Sequence, residues 1–357
     1  MGLTRKVVCV GLLLWLTTCA FAAPSARRSQ ERGAYSSVTH EQIAEIVERL
    51  RASSVDEKLL AQALEMGGAL LRQSRFAEAA ELFDLLAQKQ PGDFAVVYGQ
   101  ALATFNLGRV AESEPIARKA VELAEAGAGA PRVNRSFPSA ADALVLLSVV
   151  LAVRGDDAGA LKVVERAVRL APDNFDAQLA LGRQRFGMGD DVGAARAFRA
   201  AIGLMPSNGA ALFYLATALD HSGDATGAQT TYAELIKRQP KMAEGHLGLG
   251  VLLLKRSSTR MEEGIKELQL ALQIDPNLYE ARVTLGRALI LMGRSDEALE
   301  HLRRAAELAP DNPEPHYQLS LAYRRLGNKD QSAAELAIVK RIHNGRRSGK
   351  PANPDQP

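Results

Sequence analysis

Proline returns along this chain at a fixed interval. Pro172, Pro206 and Pro240 stand 34 residues apart, as do Pro276 and Pro310, while Pro240 and Pro276 are separated by 36. The pentapeptide LAPDN occurs at 170–174 and again at 308–312, four intervals later. The two extra residues of the longer interval fall in the polar stretch 255–263, KRSSTRMEE, where a turn can absorb them. A period of this length marks a stack of supersecondary units, each too thin to bury its apolar face alone.

Other residues keep the same register. In the unit 279–312, Leu285 and Gly286 hold places 7 and 8, Leu289 place 11 and Gly293 place 15. Ala298, Leu302, Ala305 and Pro310 follow at places 20, 24, 27 and 32. The unit 175–208 repeats this with Leu181, Gly182, Gly189, Ala194, Phe198, Ala201 and Pro206. Apolar residues three, four and seven apart give each unit two amphipathic helices. Small residues at places 8, 20 and 27 let helices cross closely. Glycine at place 15 ends the first helix, and proline at place 32 ends the second. The Asp-Asn pair of LAPDN then caps the next first helix. Hydrophobic residues make up 47% of the chain and charged residues 24%, which fits a folded helical protein.

Spacing and residues together resemble the tetratricopeptide repeat (TPR) family. The resemblance implies an all-α, right-handed superhelical solenoid of helix–turn–helix repeats. Eight units are expected, at 60–93, 94–127, 141–174, 175–208, 209–242, 243–278, 279–312 and 313 to about 341. The unit 94–127 departs most, with Gln100 where leucine is usual, no closing proline, and Pro115 inside its second helix. At place 4, where the family carries tryptophan, this chain has Leu144, Gln178, Leu212 or Arg282. Ahead of the repeats, 39–59 reads as a capping region, with a helix at 39–51 opened by a Thr39–Gln42 capping box. Residues 23–38 read as a disordered linker, 128–140 as an inserted loop, and 342–357 as an unstructured polar tail.

Residues 1–22 read as a secretory signal. Arg5 and Lys6 precede the apolar run VVCVGLLLWL at 7–16, and Ala20-Phe21-Ala22 supplies a cleavage site after Ala22. Leu16-Thr17-Thr18-Cys19 also resembles a bacterial lipobox, with Thr18 departing from the usual Gly, Ala or Ser, so lipidation at Cys19 is the second fate. An uncut anchor is disfavoured, because residues 7–23 barely reach across a bilayer. Cys9 and Cys19 are the only cysteines, so a soluble mature product has none and packing alone holds its core. The net charge of +3 falls to +1 when Arg5 and Lys6 leave. That balance argues against nucleic acid as a partner, and membrane association is expected only if Cys19 is lipidated.

No catalytic constellation stands out. The histidines, His40, His221, His246, His301, His316 and His343, are scattered, with no pair at metal-ligand spacing and no HExxH. Residues 187–193, GMGDDVG, have a glycine spacing like a dinucleotide loop, but a helix precedes them where a strand is needed. No metal and no cofactor are expected. Asn134-Arg135-Ser136 is a glycosylation sequon, relevant only in a eukaryotic source.

By the resemblance, places 5, 9 and 12 of the first helices line a concave groove. The candidate partner-binding residues are Tyr98, Leu102, Phe105, Val149, Arg183, Phe186, Phe213, Thr217, Val251, Leu254, Arg287, Tyr317, Leu321 and Arg324. Place 5 fits packing against the neighbouring unit equally well. An apolar trough carrying arginines suits a protein or peptide segment with hydrophobic anchors and an acidic group. The Lys and Asn that chaperone-binding members use at places 5 and 9 are absent, so that kind of C-terminus is not the expected ligand. The expectation is an exported, non-catalytic TPR scaffold, periplasmic or otherwise in a bacterial envelope. The alternative is a lipid-anchored assembly factor of a secretion or pilus apparatus, as some family members are. A third reading makes the repeats a substrate platform for an envelope enzyme, for which the short non-repeat segments leave little room.

Overall fold

The computed structural model describes residues 38–52, 54–127, 138–256 and 258–348. The expected signal with Cys9 and Cys19, the linker up to residue 37, the sequon at Asn134 and the last residues from 349 lie outside the described residues. What is described is helical, with no strand among the described residues. It divides into two units, one ending at Pro206 and one beginning at Ser207.

The first unit opens with α1 (His40–Ala52), closed at its N-terminus by the expected box. Gln42 N–H donates to Thr39 Oγ1 at 3.2 Å, and Thr39 N–H donates to Gln42 Oε1 at 2.9 Å. Four hairpins follow: α2 (Glu57–Arg72) with α3 (Phe76–Lys89), α4 (Phe94–Asn106) with α5 (Val110–Glu125), α6 (Ala140–Val153) with α7 (Asp157–Leu170), and α8 (Phe175–Gly187) with α9 (Asp191–Leu204). The second unit holds α10 (Gly209–Ser222) with α11 (Ala225–Arg238), α12 (Ala243–Arg256) with α13 (Met261–Ile274), α14 (Tyr279–Leu291) with α15 (Ser295–Leu308), and α16 (Pro313–Arg325) with α17 (Lys329–Ser348). A 3-10 turn, Ser258–Arg260, takes up the longer interval ahead of α13.

Place 15 turns seven of the hairpins the same way among the described residues. Gly108, Gly155, Gly189, Gly223, Gly293 and Gly327 all stand there with φ between 78° and 93°, a left-handed conformation that costs a side chain energy. Ser74 takes the position in the first hairpin at φ 58°. One residue later the chain uses two devices. Asp156, Asp190 and Asp224 accept from the N–H of Gly159, Gly193 and Gly227 at 2.8–2.9 Å, capping α7, α9 and α11. Arg75 and Arg294 stand there in other hairpins, and Arg260 takes the same N-cap position beyond the two-residue insertion; they instead hold the glutamates three residues on, Glu78, Glu297 and Glu263. First helices are capped as expected, by Asn174, Asn208 and Asn312.

The core follows place 24. Phe83 is fully buried, and its ring occupies the space that a side chain at Gly67 of its own hairpin or Gly99 of the next would need. Phe198 stands likewise against Gly182, Leu302 against Gly286, and Tyr232 against Gly248. Within each unit, every first helix packs on its own second helix and on the next first helix, so the first-helix row lies on the inner side of each unit's curve.

Two boundaries differ from expectation. α2 begins at Glu57, inside the segment assigned to the capping region, because Asp56 caps it by accepting from Leu59 N–H at 2.7 Å. α17 continues past 341 into the supposed tail as far as Ser348. Place 32 of that unit is Asn344 instead of proline, so nothing stops the helix, and Ile342 is buried. Pro115 lies inside α5, as expected for that unit.

Candidate functional site: the first-helix face

The unit ending at Pro206 buries most of its expected groove residues. Tyr98, Leu102 and Phe186 are almost wholly buried, Arg183 is 7% exposed, and Phe105 and Val149 are half-buried. Tyr98 lies close enough to Asp142 and Asp176 for their charges, after burial itself, to push its hydroxyl well above the usual tyrosine range. Asp142, at the start of α6, accepts from Ser139 N–H at 2.7 Å and from Asn174 Nδ2 at 2.9 Å. Asp176, at the start of α8, has a buried Oδ1 with no hydrogen-bond partner among the described residues. Burial, and then the charge of Asp142, push its carboxyl up to about 6.

The unit from Ser207 is more open. Phe213, Thr217, Val251, Leu254 and Leu321 are half-buried, while Arg287, Tyr317 and Arg324 are exposed. Not all of these side chains are available to a partner. The Thr217 hydroxyl donates to Phe213 O at 2.9 Å and meets the Tyr232 hydroxyl at 3.0 Å. At the end of α10, Asp220 accepts from Lys255 Nζ at 2.9 Å and Arg256 at 3.3 Å. Burial alone would raise the Asp220 carboxyl, but those two cations hold it below its ordinary range.

Arginine is otherwise spent systematically in this unit. Arg238, Arg256, Arg260, Arg294 and Arg304 hold carboxylates. Arg282, Arg325 and Arg346 donate to backbone carbonyls, and Arg303 donates to the Tyr323 hydroxyl at 2.8 Å. Arg287 on α14, Arg324 on α16 and Arg341 on α17 have no partner of either kind among the described residues, and all three are exposed; the first two stand on first helices. Arg325 reaches the Ile290 carbonyl, so the C-terminal ends of α14 and α16 meet. Leu291, the residue after Ile290, is 64% exposed. Tyr317, 46% exposed, Leu321 and Arg324 fall four and three residues apart on one stripe of α16.

Sequence reasoning passed over Leu291, which holds place 13. Its signal was present, since the other first helices of this unit carry His221, Lys255 and Arg325 there. It also left His246 and His316 as scattered polar residues. Both stand at place 4, each closing its hairpin through Nδ1 to a glutamate of the second helix, Glu267 at 2.7 Å and Glu335 at 2.6 Å. Among the described residues no three His, Cys, Asp or Glu side chains gather as a metal site would require.

Comparison with known proteins agrees with the repeat register. A family model described as tetratricopeptide repeat matches residues 64–131, 132–175, 179–228 and 221–278, and one described as TPR repeat matches 286–327. The chain belongs to the tetratricopeptide repeat family. As a TPR protein it has a scaffold fold of the kind that supports protein–protein interaction. No curated protein matches it. Among solved structures it is similar to MamA from Desulfovibrio magneticus RS-1, at 18% identity and TM-score 0.43 over 48% of this chain and 96% of that one. It is also similar to TTC0263, a thermophilic TPR protein of Thermus thermophilus, at 23% identity and TM-score 0.39 over 49% and 100%. A third is YrrB, a TPR protein with an unusual peptide-binding site, at 17% identity and TM-score 0.40 over 52% and 94%. Likeness at this level carries no residue's role from those TPR proteins to this one.

Proposed function

We propose that this TPR protein is an exported, non-catalytic scaffold that holds a segment of a partner protein against its first-helix face. The observation that carries the reading is the inner face of the unit from Ser207. There, half-buried Val251, Leu254 and Leu321 alternate with exposed Arg287, Tyr317 and Arg324. An apolar strip with unpaired cations suits a polypeptide with hydrophobic anchors. The repeat register occupies most of the chain, which supports a binding role over a catalytic one. Export rests on the basic and apolar pattern of residues 1–22.

Site-specific crosslinking in the native envelope tests the binding role. A photoreactive amino acid at Val251 or Leu321 is expected to trap one discrete adduct, while the same group at exposed Ala233 or Ala337 on second helices traps none. Equal yields from both sets would defeat the proposal. Intact mass of the mature protein tests its processing. A start at Ala23 supports a soluble form, an acylated Cys19 supports the lipid-anchored alternative, and an unprocessed cytosolic chain removes export altogether.

A further inference from the structure

We infer that the partner of the unit from Ser207 is an acidic segment, with two carboxylates about three residues apart and apolar side chains between them. It is seated on Arg287, Leu291, Tyr317, Leu321 and Arg324, an inference that rests on the partner-binding reading above. The starting observation is selective. This unit ties most of its arginines to a carboxylate, a carbonyl or a hydroxyl; of the three it leaves free among the described residues, Arg341 lies on a second helix, and Arg287 and Arg324 lie on consecutive first helices. A guanidinium with no anion in its own fold presents a planar fork of donors matched to a carboxylate from outside.

Geometry sets the spacing. Helices packed as α14 and α16 are have axes about 10 Å apart. An extended chain advances about 3.3 Å per residue, so carboxylates three residues apart reach Arg287 and Arg324 together. The helix stripes that carry the two cations are otherwise apolar, with Leu291 one turn from Arg287, and Tyr317 and Leu321 within two turns of Arg324; Leu291 and Tyr317 are largely open and Leu321 is half-buried. Leucine or phenylalanine between the two acids covers these side chains. A basic segment would add cations beside two that already lack a counter-charge. A nucleic acid would offer phosphates but no aliphatic side chain for Leu291 and Leu321, and on these two helices it would meet only Arg287 and Arg324 free.

Fluorescence anisotropy on the purified full chain tests this with labelled octapeptides. The acidic probe is Gly-Ser-Asp-Leu-Phe-Glu-Ser-Gly, and its controls carry Asn and Gln, or two Lys, at the acidic positions. The acidic probe is expected to bind at least tenfold more tightly than either control and to weaken as salt rises. Arg287→Glu with Arg324→Glu should abolish that binding, and Arg287→Ala with Arg324→Ala should weaken it at least fivefold. Arg196→Glu with Arg199→Glu, exposed on α9 of the other unit, should leave it unchanged. Equal binding of the three peptides, absence of binding by the acidic probe, persistence of its binding in the Arg287 and Arg324 variants, or tighter binding of an oligothymidine would each overturn the inference. If crosslinking at Val251 still traps its adduct while the acidic probe fails, the scaffold reading stands and only the acidic partner falls.

Discussion

Replacing Asp176 with asparagine should make the protein more stable at neutral pH and should flatten part of its pH dependence. The carboxyl sits at the first turn of α8, mostly buried, with Oδ1 unsatisfied among the described residues and the charge of Asp142 nearby. Its folded-state value of about 6 lies above the ordinary 3.8. A carboxyl shifted upward contributes its full stability below about pH 3.8 and loses it as pH rises through about 6. The gap between those values corresponds to ~3 kcal/mol of penalty at pH 7.5. Asparagine gives back a little of that gain, because a negative charge near a helix N-terminus is favourable by about 0.5 kcal/mol. The expected net effect of Asp176→Asn is therefore ~2 kcal/mol of stabilisation at pH 7.5 and about none at pH 3.5. Urea unfolding of both proteins at the two pH values measures it, with hydrogen exchange of α6 and α8 as a local readout, since a repeat array need not unfold in one step. Parallel pH profiles for wild type and variant, or a less stable variant at pH 7.5, would show that Asp176 is solvated or neutralised by another group.

Other consequences of the repeat register can be measured in the same melts. Phe83→Ala empties the space between Gly67 and Gly99 and should cost ~3–5 kcal/mol, the range for removing a buried phenylalanine; a loss below about 1 kcal/mol would mean the ring is not the wedge described. Gly223→Ala forces alanine into φ 93° and should destabilise by roughly 1–2 kcal/mol. The same change at Gly203, helical and with open space around its Cβ direction, should stabilise by ~0.5 kcal/mol, so equal signs at the two glycines would contradict the turn assignment.

The fold was legible because each hairpin needs the same stop and turn at the same place. Gly155, Gly189 and Gly223 turn their hairpins with left-handed backbone, and Asn174, Asn208 and Asn312 cap the first helices, as their spacing implies. The aspartate caps of α7, α9 and α11 were also written in the chain, as Asp-x-x-Gly at 156–159, 190–193 and 224–227. Helix ends without such residues were harder to place. α17 has no proline at place 32 and is helical as far as Ser348, the last described residue, with Ile342 buried and Arg346 donating to Asp311 O. The openness of the inner face was not legible at all. Leu102 and Val251 share place 9, yet one is buried and the other half-open. Periodicity says which side of a helix a residue takes, and only tertiary packing decides what covers that side.

Stability and binding draw on different places of one period, and that division narrows where a partner can act. Places 8, 15, 24 and 32 are bound to turns and cores, as Gly286, Gly293, Leu302 and Pro310 illustrate in a single hairpin. Place 16 is bound to capping, whether by Asp224 or through Arg294 and Glu297. At place 13, Lys255 and Arg325 are bound to the end of the preceding first helix, through Asp220 and the Ile290 carbonyl. A substitution at any of these alters folding before it alters recognition. What remains on α14 and α16 are Arg287, Leu291, Tyr317 and Arg324, side chains without a described structural partner whose removal should leave the hairpins standing. Surface arginines held in salt bridges typically stabilise by less than about 1 kcal/mol, so the free pair confers no stability that would account for its placement. On the acidic-segment inference above, its planar forks of donors are left for the partner's carboxylates.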